Sequence, residues 1–116
     1  MLNRGAFTLR CKSPVVDWLN TAFPIPRDRP ATLVDVNQEL TVYLVSDATV
    51  ESPAAFRRWL KRNYRALFET ELEGWCRDPN LWPQNLTFAL FESWFQAELH
   101  SVVVDLVGTE IHDDDF

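Results

Sequence analysis

Glycine is scarce in this chain. Its 116 residues include three, Gly5, Gly74 and Gly108, set far apart. A loop that cradles phosphate needs clustered glycines, so neither a P-loop nor a dinucleotide fingerprint can be built. Cysteine is nearly as rare. Cys11 and Cys76 form no C-x-x-C pair, which excludes a zinc ribbon and a thioredoxin-type motif. Neither has a histidine close in sequence, and Ser101 lacks the glycine pattern of a nucleophile elbow. Metal-independent nucleophilic catalysis is therefore not expected. No apolar run is long enough to span a bilayer, and the first residues lack the apolar core of a signal peptide. The expectation is a cytoplasmic, reduced protein with two free thiols and no membrane segment. Positive charge is in the minority: eleven Lys and Arg face seventeen Asp and Glu, for a net charge of -6. Such a chain is repelled by nucleic acid and by anionic membrane surfaces, so nucleic-acid binding is not expected. No cofactor motif and no metal-ligand spacing is present.

What the chain has in quantity is large apolar rings. Aromatics make up 13% of it, with five Trp and eight Phe, and 47% of all residues are hydrophobic. That is enough for a self-sufficient core, because a chain of this length buries roughly two-thirds of its unfolded surface. We read residues 1–116 as a single domain, with 109–116 as a frayed acidic tail ending in Asp113, Asp114, Asp115 and Phe116.

Residues 6–11 alternate apolar and polar, as a half-buried strand does. Ser13 and Pro14 form an N-cap followed by a first-turn proline. The helix they open, to about Ala22, would bury Val15, Trp18, Leu19 and Phe23. Residues 24–30 hold three prolines in seven positions, which forbids regular structure and gives a stiff surface loop. Residues 31–46 are strand-like, with Asn37 and Gln38 as a two-residue hairpin turn. Leu40, Val42 and Leu44 then share one face, and Thr41, Tyr43 and Val45 the other. Ser52 and Pro53 repeat the cap-and-proline device and start the main helix, 53–73, with Gly74 as its stop. Phe56, Trp59, Leu60, Tyr64 and Leu67 make its core stripe. Arg57, Arg58, Lys61, Arg62 and Arg65 line a solvated outer face. Residues 77–83 are turn-rich. A second helix, 86–99, carries Phe88, Phe91, Phe95 and Leu99 on one side and Leu90 and Trp94 on another. Residues 101–107, apolar on both faces, read as a central strand ended by Gly108. The expected fold is α+β: one layer of about four strands with two or three helices packed on it, in the order strand, helix, hairpin, helix, helix, strand.

The stretch 66–106 organises the rest. It carries Trp75, Trp82 and Trp94, five glutamates and His100. Within it stand Glu71 to Trp75 (ELEGW), Asp78, Leu81 to Pro83 (LWP), Thr87, Leu90, Phe91, Trp94, Phe95, Glu98, His100, Ser101, Asp105 and Leu106. This pattern resembles a small family of uncharacterised bacterial proteins over about a third of the chain. Cys76 departs from it, standing where an aromatic residue belongs. The resemblance implies a bacterial cytoplasmic protein and brings no activity with it.

Two readings of function come from these residues. The first is a protein-interaction module, in one form a homodimer through Leu90 and Trp94. The aromatic excess and the two-sided helix 86–99 support it, with Trp75, Trp82, Leu90 and Trp94 as the binding surface. The second is a small acid–base or metal-dependent enzyme in which Glu71, Glu98, His100 and Asp105 converge. Glu71 falls on the same side of its helix as Leu60 and Leu67, and Asp105 lies in an apolar run. Carboxylates in such places are costly unless paired or used. Asp35, between Val34 and Val36, raises the same question.

Overall fold

The computed structural model describes residues 3–22 and 28–113. The chain runs β1 (Arg4–Cys11), α1 (Ser13–Ala22), α2 (Leu33–Val36), β2 (Val42–Ser46) and α3 (Pro53–Trp75). A 3-10 turn at Pro79–Leu81, α4 (Phe88–Trp94) and β3 (Phe95–His100) complete it. The architecture is α+β, as the hydrophobic periodicity required. Among the described residues the sheet has three strands rather than four, all antiparallel, in the order β2-β1-β3. Phe23 and the greater part of the proline-rich stretch lie outside the described residues, as do 114–116 of the acidic tail. No helix among the described residues is long and apolar enough to cross a membrane.

β1 is the central strand. Phe7, Leu9 and Cys11 point to the helices and are buried, while Thr8 and Arg10 point away. Phe7 is fully enclosed. It stacks on Tyr43 of β2 at 5.1 Å and meets Phe56 and Trp59 of α3 edge-on at 5.1 and 5.7 Å. A second ring cluster joins Phe68 of α3 to Phe91, Trp94 and Phe95, and Trp18 of α1 to Trp94. Offset and edge-on pairs of this kind each add about 0.5–1.5 kcal/mol beyond the area they bury. Gly5 is needed for close approach: a Cβ there would lie 3.0 Å or less from three Val50 side-chain carbons.

The hairpin expected over 31–46 does not form, because local hydrogen bonds hold its first half in one helical turn. Thr32 caps α2 and Asp35 answers it, a complete capping box. Asn37 then occupies the place of a strand neighbour. Its Oδ1 accepts from Cys11 N–H at 2.8 Å, and its Nδ2 donates to Cys11 O and Leu33 O, both at 3.0 Å. One amide side chain thus satisfies the end of β1. Asp35 is half-exposed on this turn rather than embedded in a strand. Its carboxylate takes two hydrogen bonds from Arg29 at 2.8 and 2.9 Å.

The helix expected over 86–99 is two elements. Thr87 caps α4, and Phe95 turns extended with φ -133° and ψ 147°. From there Phe95, Ala97 and Leu99 face inward and Gln96, Glu98 and His100 outward, paired along β1 from Ala6↔His100 to Cys11↔Phe95. β2 and β3 therefore take both edges of β1. Residues 101–107, expected as a central strand, have no place in the sheet and run on as irregular chain. Gly74 does not stop α3, which continues to Trp75 and is capped at Cys76.

Candidate functional site

The inner layer holds a titratable cluster between β2, the end of β1 and the last turns of α3. The core stripe of α3 includes Leu67, Phe68 and Leu72, all buried, and this stripe carries Glu71 inward with it. Tyr43 faces inward by strand alternation, so its ring stacks on Phe7 and its hydroxyl reaches the helix. Tyr43 Oη donates to Glu71 Oε2 at 2.5 Å. Burial holds the Glu71 carboxyl above the ordinary carboxylate range, against the lowering effect of that hydrogen bond. Tyr43 is raised as well, by burial first and then by the Glu71 carboxylate. Burial pushes the Cys11 thiol up to about 11, with the Glu71 charge adding to the effect and Arg10 opposing it. Cys11 is therefore a protonated, weakly nucleophilic thiol at neutral pH.

Glu71 and Cys11 open onto a cleft of about 300 Å³. Glu39, Thr41 and Thr70 also line it, and Trp75 stands at its side. Trp75 is 41% exposed, an unusual degree for an indole. A second cleft of about 360 Å³ lies beyond Trp75 and Val36, walled by the Arg29–Asp35 ion pair. The Arg29 guanidinium, with the Thr32 backbone and hydroxyl, holds the Asp35 carboxyl well below the usual range.

The four residues read together as an acid–base group are not brought together. Glu71 lies on the helix side of the sheet. Glu98 lies on the opposite side, bound to Arg10 at 2.5 Å. His100, also outward on β3, is exposed. Asp105 accepts from the N–H of Val107 at 2.9 Å and so closes its own turn. Among the described residues, no group of three or more His, Cys, Asp and Glu is placed to hold a metal ion.

The four apolar binding candidates also part company. Trp75 is exposed beside the cleft. Trp82 is half-buried, and its Nε1 donates to Cys76 O at 2.7 Å, which fastens the turn after α3. Leu90 is half-buried against the core. Trp94 is buried between Trp18 and Phe68. A self-association surface built on Trp94 is thus closed off by the chain's own packing. The basic face of α3 is partly engaged too: Arg57 pairs with Glu92 of α4 and lies 5.2 Å from the Phe88 ring, and Arg65 binds Glu69 at 3.2 Å.

Sequence reasoning missed two features. Tyr43 as the partner of Glu71 left no trace, because the two stand 28 positions apart. The apolar outer surface had a trace that was assigned to a strand. Val42 and Leu44 on β2, and Val102, Val104, Leu106, Val107 and Ile111 after β3, are 48–93% exposed. Leu44, Val104, Val107 and Ile111 border one shallow depression of about 370 Å³. No protein-family model, curated protein or solved structure matches this chain.

Proposed function

We propose that this protein is an interaction module that self-associates through the apolar surface formed by β2 and residues 101–111. The observation that carries this reading is the exposure of Val42, Leu44, Val102, Val104, Leu106, Val107 and Ile111, with Leu106 at 93%. An antiparallel sheet that turns one face to water normally carries polar residues there. Here two outward positions of β2, Val42 and Leu44, are apolar, and Leu44 adjoins a valine-rich segment whose Val102, Val104 and Val107 are exposed. Contiguous apolar surface rimmed by polar groups marks contact sites.

A second copy of the chain fits this surface for a reason of symmetry. Each protomer offers a β-coded segment, 101–107, that belongs to no strand, and each offers open strand edges on β2 and β3. A two-fold arrangement uses one surface twice and satisfies donor and acceptor in both copies. In this form the homodimer's contact lies on the outer surface and not at Leu90 and Trp94.

Sedimentation velocity over a range of protein concentrations tests the reading. A monomer–dimer equilibrium is expected, and Val104→Asp with Leu106→Asp is expected to abolish it while circular dichroism stays unchanged. A chain that sediments as a monomer at every concentration would exclude self-association.

A further inference from the structure

Glu71 is placed where folding alone gains little from a carboxylate. It sits within the last turns of α3, where the helix dipole disfavours anions. It lies on the same side of α3 as buried Leu60 and Leu67 and is itself half-buried. Its Oε2 is held by one neutral hydroxyl, Tyr43, and among the described residues no Lys or Arg lines the cleft into which it opens. An ionised carboxylate half out of water is stabilised chiefly by a cation, and the walls of the cleft do not provide one.

The rest of the cleft has the chemistry to receive one from outside. Glu39 adds a second carboxylate, Thr41 and Thr70 bring hydroxyls, and Trp75 offers an exposed indole. An indole face attracts an organic cation through its quadrupole, and a neighbouring carboxylate accepts its N–H groups. About 300 Å³ is at the small end of ligand pockets and matches a short apolar stem bearing one charged head.

We propose that the cleft between Glu71 and Trp75 binds an organic cation, an ammonium or guanidinium group on a short apolar stem. Glu71 takes the charged head, Trp75 covers the stem and Glu39 completes the negative field. The site lies on the helix side of the sheet, away from the apolar outer surface, and does not depend on self-association.

The test is NMR titration of the full chain with n-butylammonium and n-butylguanidinium, followed at the Gly74 amide and the Trp75 indole N–H. Saturable shifts at both are expected, with no such shifts from n-butanol. Glu71→Gln keeps an acceptor for Tyr43 and removes the charge, and a tenfold or greater loss of affinity is expected. Glu39→Gln, at an exposed position, is expected to weaken binding less. A lysine-containing and an arginine-containing peptide, titrated in the same way, distinguish a free amine from a partner's basic side chain. Butanol binding as tightly as butylammonium, the absence of saturable shifts with every cation, or unchanged affinity in Glu71→Gln would each overturn the proposal.

Discussion

At the scale of single residues, Glu71 has the clearest consequence for stability. Its carboxyl is raised in the folded chain by burial. The folded state therefore holds more protons than the unfolded state between the two pKa values, and stability falls as pH rises through that window. Above it the cost is present in full. Glu71→Gln removes the titration while keeping the acceptor for Tyr43. We predict that the variant is more stable than the parent at neutral pH, with the difference vanishing as pH drops below the unfolded carboxylate value. Urea midpoints measured across the acid range check this, and an equal difference at every pH would contradict it. The variant also separates two losses: it is expected to bind cations weakly while being the more stable protein. The sequence placed Glu71 on the apolar side of its helix, which was enough to mark it as unusual. Finding Tyr43 opposite required the pairing Phe7↔Tyr43, a register that no local pattern encodes.

At the scale of elements, legibility followed the range of the forces involved. Ser52 capping α3, with Oγ accepting from Ala55 N–H at 3.1 Å, and the stripe of Phe56, Leu60 and Leu67 were readable because both are local. Residues 95–100 show the limit. Phe91, Phe95 and Leu99 fit a helical period, while Phe95, Ala97 and Leu99 fit alternation equally well, and the open edge of β1 decided between them. Residues 32–37 were misread for the opposite reason. Their β propensity lost to a capping box and to Asn37, whose side chain serves both backbone groups of buried Cys11. Asn37→Ala should therefore cost about 1–3 kcal/mol, the penalty for leaving a buried N–H without an acceptor. The expected result in urea is a lower midpoint with an unchanged slope. Asn37→Asp should retain part of that loss, because it keeps an oxygen for Cys11 N–H and gives up the donor to Cys11 O. A midpoint unaffected by Asn37→Ala would mean that α2 is held by Val36 packing alone.

At the scale of the whole molecule, the first strand is the centre of the sheet and the last strand is one of its partners. The Arg10–Glu98 pair spans 88 positions, so the sheet closes only when nearly the whole chain is in place. The segment after β3 is then surplus to the sheet: 101–107 has the composition of a strand, and both sides of β1 are occupied. Amide hydrogen exchange reads this arrangement directly. Amides of β1 that bond to β2 or β3 should exchange slowest, near the limit of global unfolding, and those of 101–113 should exchange fast, since they join no strand. Dilute protein is expected to show that contrast. Raising the concentration into the range where two copies associate should slow exchange selectively in 101–107 and at one sheet edge, because strand addition gives those N–H groups backbone acceptors in a ladder they do not otherwise join. Protection confined to side-chain contact, with the 101–107 amides still fast in the associated form, would point to two apolar surfaces meeting without a shared ladder. If those amides are slow even in dilute protein, the segment is already paired within one chain, and the outer surface is no longer available to a second copy.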